Sequence, residues 1–104
     1  MTHLDPPPSF HPLMRKALVE GRKWHTTRGK KLGEVGDTFT IDGVTFRIKD
    51  VRQETFWTIT YQHYRGEGFD TPGEFQAFWI GLHRGHLPAP GDLRWLHTLE
   101  RLTK

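Results

Sequence analysis

Two short stretches of this chain carry side chains whose types and spacing suit chemistry on a polar organic molecule. The first is Gly21-x-Lys23-x-x-Thr26-x-Arg28. On an extended strand alternate residues share a face, so Thr26 and Arg28 point the same way, with Trp24 ahead of them. Lys23 stands at the junction before the strand, where its long side chain can bend over that face, and Gly21 permits a sharp change of direction. An ammonium, a hydroxyl and a planar guanidinium gathered in this way suit a phosphate or the polar edge of a base. The plain alternative is a solvated strand beside a basic loop.

The second stretch is Glu67-Gly-Phe-Asp70. Asp70 suits local turn bonding, and Phe69 can staple the entry of the helix that follows. Glu67 has no such local duty. Read alone it is an exposed loop carboxylate; read with Lys23 it is half of an acid–base pair. Burial lowers the pKa of an amine and raises that of a carboxyl, while their attraction opposes both shifts. Such a pair can position a hydroxyl or a water and shuttle a proton, with Thr26 as nucleophile. Only the fold can bring the two stretches together.

The elements that must position these groups follow from periodicity and turn residues. Leu13, Met14, Ala17 and Leu18 repeat at helical spacing and Gly21 supplies a stop, which predicts a helix over about 12–20. Trp24 to Arg28 reads as a short strand, followed by the basic loop 29–34. Phe39 and Ile41 share one face of a strand over 38–41, Asp42-Gly43 is a two-residue hairpin turn, and Val44, Phe46 and Ile48 alternate with polar residues in a strand ending near Val51. Residues 54–64 suit a strand by propensity, yet Trp57, Tyr61 and Tyr64 fall on helical spacing, and a short helix or turn is the preferred reading. Thr71, Pro72 and Glu74 form a helix start with a capping box. Phe75, Phe78, Trp79 and Leu82 line one apolar face of that helix, over about 72–84, and Gly85 ends it. A loop over 86–92 then leads to a closing strand over 93–102.

With 104 residues the chain has enough material for one core. The expected organisation is a single domain over 1–104, with 1–10 an extended or loosely ordered arm because of Pro6-Pro7-Pro8. Low mean hydropathy, −0.66, makes the core small and aromatic-rich. Eleven Gly and seven Pro favour a barrel of short strands with helices, an α+β fold, over a helical bundle. The net charge of +3 mildly favours anionic partners such as RNA or nucleotides. The absence of cysteine excludes disulfides, thiolate nucleophiles and cysteine-based metal sites. No stretch has the length of a membrane span or a signal peptide, so the expected location is the cytoplasm.

The residues Gly21-Arg-Lys-Trp-His-Thr-Thr-Arg28 resemble the signature of the ASCH domain, a relative of the PUA domain: Gly-x-Lys, two residues, an acidic or threonine position, one residue, Arg. Val35-Gly-Asp37 resembles the family's entry to its first long strand. Glu67-Gly-Phe-Asp-Thr-Pro-Gly-Glu-Phe75 is similar to its Glu-Gly-Phe turn and capped helix. The order of elements from Leu13 to Leu102 agrees as well, so the resemblance covers nearly the whole chain. It implies a small, partly open PUA-like β-barrel with helices packed on it and a cleft at the first motif. It also implies RNA binding, or action on RNA-derived nucleosides. Small amidohydrolases of the family remove the acetyl group of N4-acetylcytidine with a Lys, a Thr three residues later and a Glu. By that resemblance Lys23, Thr26 and Glu67 take those roles, and Arg28 lines the pocket. Trp24 and His25 depart from the amidohydrolases, where smaller or aliphatic residues are usual.

Other chemistries fit less well. Among the seven histidines, His83 and His86 are three apart, but Gly85 interrupts the helix between them and no carboxylate stands at ligand spacing, so no metal or other cofactor is expected. Ser9 lacks a nucleophile elbow, and Gly29-Lys30-Lys31 lacks the glycines of a phosphate loop. Phe75, Phe78 and Trp79 are core by period. Trp24 and Trp57 are not demanded by a clear apolar stripe and could stack on a base, although a core position is the usual fate of tryptophan.

The leading expectation is an RNA- or nucleoside-binding module in which Arg22, Arg28, Lys30 and Lys31 hold phosphate while Lys23, Thr26 and Glu67 face the base, with Trp24 beside them. The rival is an amidohydrolase acting on an acylated cytidine. A protein-interaction domain with a vestigial pocket is the third.

Overall fold

The computed structural model describes residues 1–102; residues 103 and 104 of the expected domain lie outside the described residues. The elements follow in the order α1 (Pro12–Val19), β1 (His25–Arg28), β2 (Thr38–Ile41), β3 (Val44–Thr55), α2 (Phe56–Gln62), α3 (Pro72–Leu82) and β4 (Leu93–Arg101). One antiparallel sheet in the order β1-β4-β3-β2 carries them.

The β2–β3 hairpin turns at Asp42 and Gly43, whose φ angles of 50° and 80° are those of a type I′ turn. Arg15 of α1 grips the Asp42 carboxylate through two bonds, 2.9 and 2.8 Å, which docks the helix beside the hairpin. The register against β4 shifts between Ile48 and Asp50. A bulge of this kind adds local twist, and the four strands curl into a half-barrel. Beyond the bulge β3 continues to Thr55, past the expected end near Val51. Arg52-Gln-Glu-Thr55 shows no apolar alternation, and backbone pairing down to Thr55↔Leu93 holds it extended.

Thr55 then caps α2, its hydroxyl accepting from the Thr58 N–H at 3.1 Å. The ambiguous segment is therefore a helix, but its buried face is Phe56, Ile59 and Thr60. Of the stripe Trp57, Tyr61 and Tyr64, the first two lie against each other on the solvent side, while the half-buried Tyr64 packs on the cluster of Phe56. In α3 the Thr71 hydroxyl accepts from the Glu74 N–H at 3.1 Å, and the Glu74 carboxylate reaches back to the N–H of Asp70 rather than that of the cap.

Apolar side chains collect on both faces of the sheet. Leu18, Phe39, Ile41, Val44, Phe46, Ile48 and Leu99 form one cluster, and Phe56, Ile59, Phe75, Trp79 and Leu96 the other. The amino-terminal arm is extended and tied to β2, with Thr38 N–H bonded to Thr2 O and Leu4 N–H to Thr38 O at 2.9 and 2.7 Å. Leu4 and Phe10 pack onto the first cluster. Among the described residues no helix is long and apolar enough to cross a membrane.

Candidate functional site

The site forms where three chain reversals converge on β1, an edge strand that among the described residues pairs with β4 alone. The first is the end of α1. Gly21, at φ 83°, lets its own N–H reach Leu18 O and the Arg22 N–H reach Ala17 O, the Schellman arrangement. The Lys23 N–H also bonds Ala17 O, at 3.2 Å, so the lysine leaves the helix end in a fixed direction.

The second reversal follows α2. Glu67 N–H bonds His63 O, Phe69 N–H bonds Tyr64 O, and Gly68 takes a φ of 102°. Gly66 O accepts from both Trp24 N–H and His25 N–H, at 2.7 and 2.9 Å, which stitches this turn to the start of β1. Glu67 is thereby set opposite Lys23. The Lys23 Nζ donates to Glu67 Oε1 at 3.1 Å and to Glu67 O at 3.2 Å. Thr27 Oγ1 donates to the other carboxylate oxygen at 2.7 Å. Lys23 and Glu67 are each 4% exposed.

Electrostatics in this setting follow from burial. Loss of water lowers the Lys23 pKa, and the charge and hydrogen bond of Glu67 oppose that shift. Arg28 is lowered by burial too, again against the attraction of Glu67. Its Nε donates to Thr26 Oγ1 at 3.2 Å and its Nη2 to Ser9 O at 2.7 Å, while the guanidinium lies 4.8 Å from the centre of the Phe10 ring. No carboxylate pairs with Arg28 among the described residues, so the site holds one cation in excess.

The third reversal is the entry to α1. His11 caps that helix, its Nδ1 accepting from the Leu13 N–H at 3.1 Å. Ser9, Phe10 and His11 thus close one wall of a cavity of about 360 Å³. Lys23, Thr26, Thr27, Arg28 and Glu67 form its polar part, and Met14, Phe69, Phe75, Phe78 and Trp79 much of its apolar part. Beneath β1, His97 is fully buried, with Nδ1 3.1 Å from Thr26 O and Nε2 accepting from the Leu32 N–H at 3.0 Å. Those partners assign the proton to Nδ1 and a neutral ring, and burial lowers its pKa.

Of the residues named from sequence, Lys23, Thr26, Arg28 and Glu67 line this cavity. Arg22, Trp24, Lys30 and Lys31 do not. Arg22 is exposed and bonded to Glu20 at 2.9 and 2.6 Å, and Lys31 pairs with Glu34 over the Trp95 ring. Lys30 is exposed on its loop. Trp24 is 44% exposed and Trp57 55%, against the usual core position for tryptophan. Phe78 is half-buried and faces the cavity, and Leu82 is exposed, so neither is core. Thr27 was not anticipated. Thr26 and Thr27 alternate to opposite faces of β1, yet both line the cavity, Thr27 through its bond to Glu67, a partner 40 residues away that no local signal reveals.

A curled antiparallel sheet with three helices and a cleft at its edge strand defines an α+β fold of the PUA-like kind. More particularly, the chain is similar in structure to an ASCH domain from Lactobacillus crispatus JV V101. The TM-score is 0.61 at 16% identity, over 86% of this chain and 70% of that one. It is similar also to a protein of Enterococcus faecalis V583 described under the family name DUF984, with a TM-score of 0.59 at 17% identity, over 86% of this chain and 67% of that one. No family model and no curated protein matches the sequence. At this identity the likeness is one of fold, and it agrees with the fold that the three motifs imply.

Proposed function

We propose that this protein is an ASCH-type nucleoside-binding domain whose cavity takes the base. The observation that carries this reading is the buried Lys23–Glu67 pair opening into an aromatic-walled cavity. Phe10, Phe78 and Trp79 suit a flat heterocycle. The Lys23 ammonium has three N–H donors, of which two go to Glu67, and the third is available to a carbonyl of the base. The hydroxyl oxygen of Thr27, its proton given to Glu67, can accept from an exocyclic amine. Because Arg22 and Lys31 are engaged in surface pairs, a single nucleoside fits better than a long RNA backbone. Calorimetric titration with the four ribonucleosides and N4-acetylcytidine tests this. Binding of at least one, lost in Lys23→Met, is expected; failure of all five would overturn it and favour a protein-interaction role.

A second reading is favoured by the amine, carboxylate and hydroxyl that share the cavity. In it the same pocket hydrolyses the amide of an N4-acylated cytidine. Water, or the Thr26 hydroxyl followed by water, attacks the acyl carbon. The proton released passes to Glu67 and then to the leaving nitrogen as the C–N bond breaks, yielding a carboxylic acid and the free amine. Release of acetate from N4-acetylcytidine, abolished in Lys23→Ala and Glu67→Ala with folding intact, is the expected result. Binding without release would confine the protein to recognition.

A further inference from the structure

Beside the nucleoside cavity opens a second one of about 380 Å³, and the two share Thr27, Arg28, Trp79 and His83 along a common wall. Among the described residues that line it, four are basic, Arg28, Arg94, His83 and His86, and none is acidic. Neither arginine is paired with a carboxylate among the described residues. Arg28 bonds a hydroxyl and a backbone carbonyl and, among the described residues, no other group. Arg94 bonds, among the described residues, the carbonyl of Leu93 alone, at 2.8 Å, and Glu54, its register partner across the sheet, is held by Arg52 at 3.1 Å. His83 is fixed as a wall of this cavity, its Nδ1 2.9 Å from Trp79 O and its ring stacked 4.3 Å from the indole.

We propose that this second cavity is a phosphate subsite, and that the ligand of the whole cleft is a nucleoside monophosphate rather than a free nucleoside. The inference rests on the reading of the first cavity as the nucleoside pocket. Planar guanidinium groups without carboxylate partners match the oxygens of a phosphomonoester, and Arg28 stands at the passage between base and phosphate. The acid-free lining excludes the usual reason for arginines to gather, which is mutual pairing with carboxylates. Two arginines and two histidines around an open, shallow hollow suit one terminal phosphate, whereas a polynucleotide tract would need basic groups continuing along the surface.

Titration of wild-type protein with the four ribonucleosides and their 5′- and 3′-monophosphates tests this. At least one monophosphate is expected to bind roughly tenfold or more tightly than its nucleoside, and Arg94→Gln to reduce that ratio to about twofold or less. Inorganic phosphate should compete with the monophosphate and not with the nucleoside, a measurement on wild-type protein that does not depend on the variant folding. Equal affinity of nucleoside and monophosphate, or an unchanged ratio in Arg94→Gln, would overturn the phosphate subsite and leave the nucleoside pocket standing. An oligonucleotide bound more tightly than any monophosphate would overturn it as well. Absence of binding by every nucleoside and monophosphate would sink the nucleoside pocket, and the subsite with it.

Discussion

The Nζ of Lys23 lies 3.1 Å from Oε1 of Glu67, although 44 residues separate them in the chain. Neither residue reaches the other through its own element. The lysine is delivered by the turn that ends α1, and the glutamate by the turn that follows α2 and is bonded to β1 through Gly66 O. An ion pair buried this deeply is costly to assemble and costlier to break, because either partner alone is an uncompensated charge away from water.

Lys23→Met and Glu67→Leu are each expected to lower stability by about 3–5 kcal/mol in urea denaturation. The double variant Lys23→Met/Glu67→Leu should regain much of that loss while binding no nucleoside. Additive losses in the double variant would show that the two groups are not coupled.

The adjacent threonines have different duties. Thr27→Val leaves a buried carboxylate oxygen without its donor and should cost roughly 1–3 kcal/mol. Thr26→Val removes only an acceptor from the partly exposed Arg28, and its effect on stability should be smaller. Chemical denaturation of the two variants side by side checks the order, and a larger loss from Thr26→Val would contradict the assignment.

A Cβ added at Gly66 would run into the His25 ring. Gly66→Ala should therefore strain the stitch between the turn and β1, at a cost of about 1–3 kcal/mol. Combining it with His25→Ala removes the obstacle and should restore most of the loss. If the double variant is no more stable than Gly66→Ala alone, the contact is not the cause.

One buried ring and one half-buried ring, His97 and His25, make the protein sensitive to acid. Burial lowers the pKa of His97 and of His25 below the ordinary 6.5. Below pH 6.5 the unfolded chain binds protons that the folded chain refuses, so stability is greatest above that value and falls as the pH drops toward the folded pKa values. Protonated His97 would also turn an Nε2–H against the N–H of Leu32. Denaturation midpoints between pH 7.5 and 5 should fall with acid, and histidine titration by NMR should place the His97 transition below that of an exposed histidine. Stability rising over that range would refute the neutral ring.

What could be read from the residues alone was short-range. The Asp42-Gly43 turn, the Gly21 stop and the Thr71 start of α3 were legible because each is satisfied within a few residues of itself. The likeness of three ordered motifs extended that to the fold class. The rest depended on neighbours distant in sequence. That β1 is an edge strand, that Trp57 faces solvent while Phe56 is buried, and that β3 runs on through a polar stretch all follow from which elements pack and pair with which. Lys23, Thr26, Arg28 and Glu67 could be named from type and spacing, but their meeting in one cleft, with Thr27 as a further member, was decided by tertiary structure. A hydrogen bond within a turn is set by local backbone angles, whereas an ion pair closed across the molecule exists only once the sheet between its ends has formed.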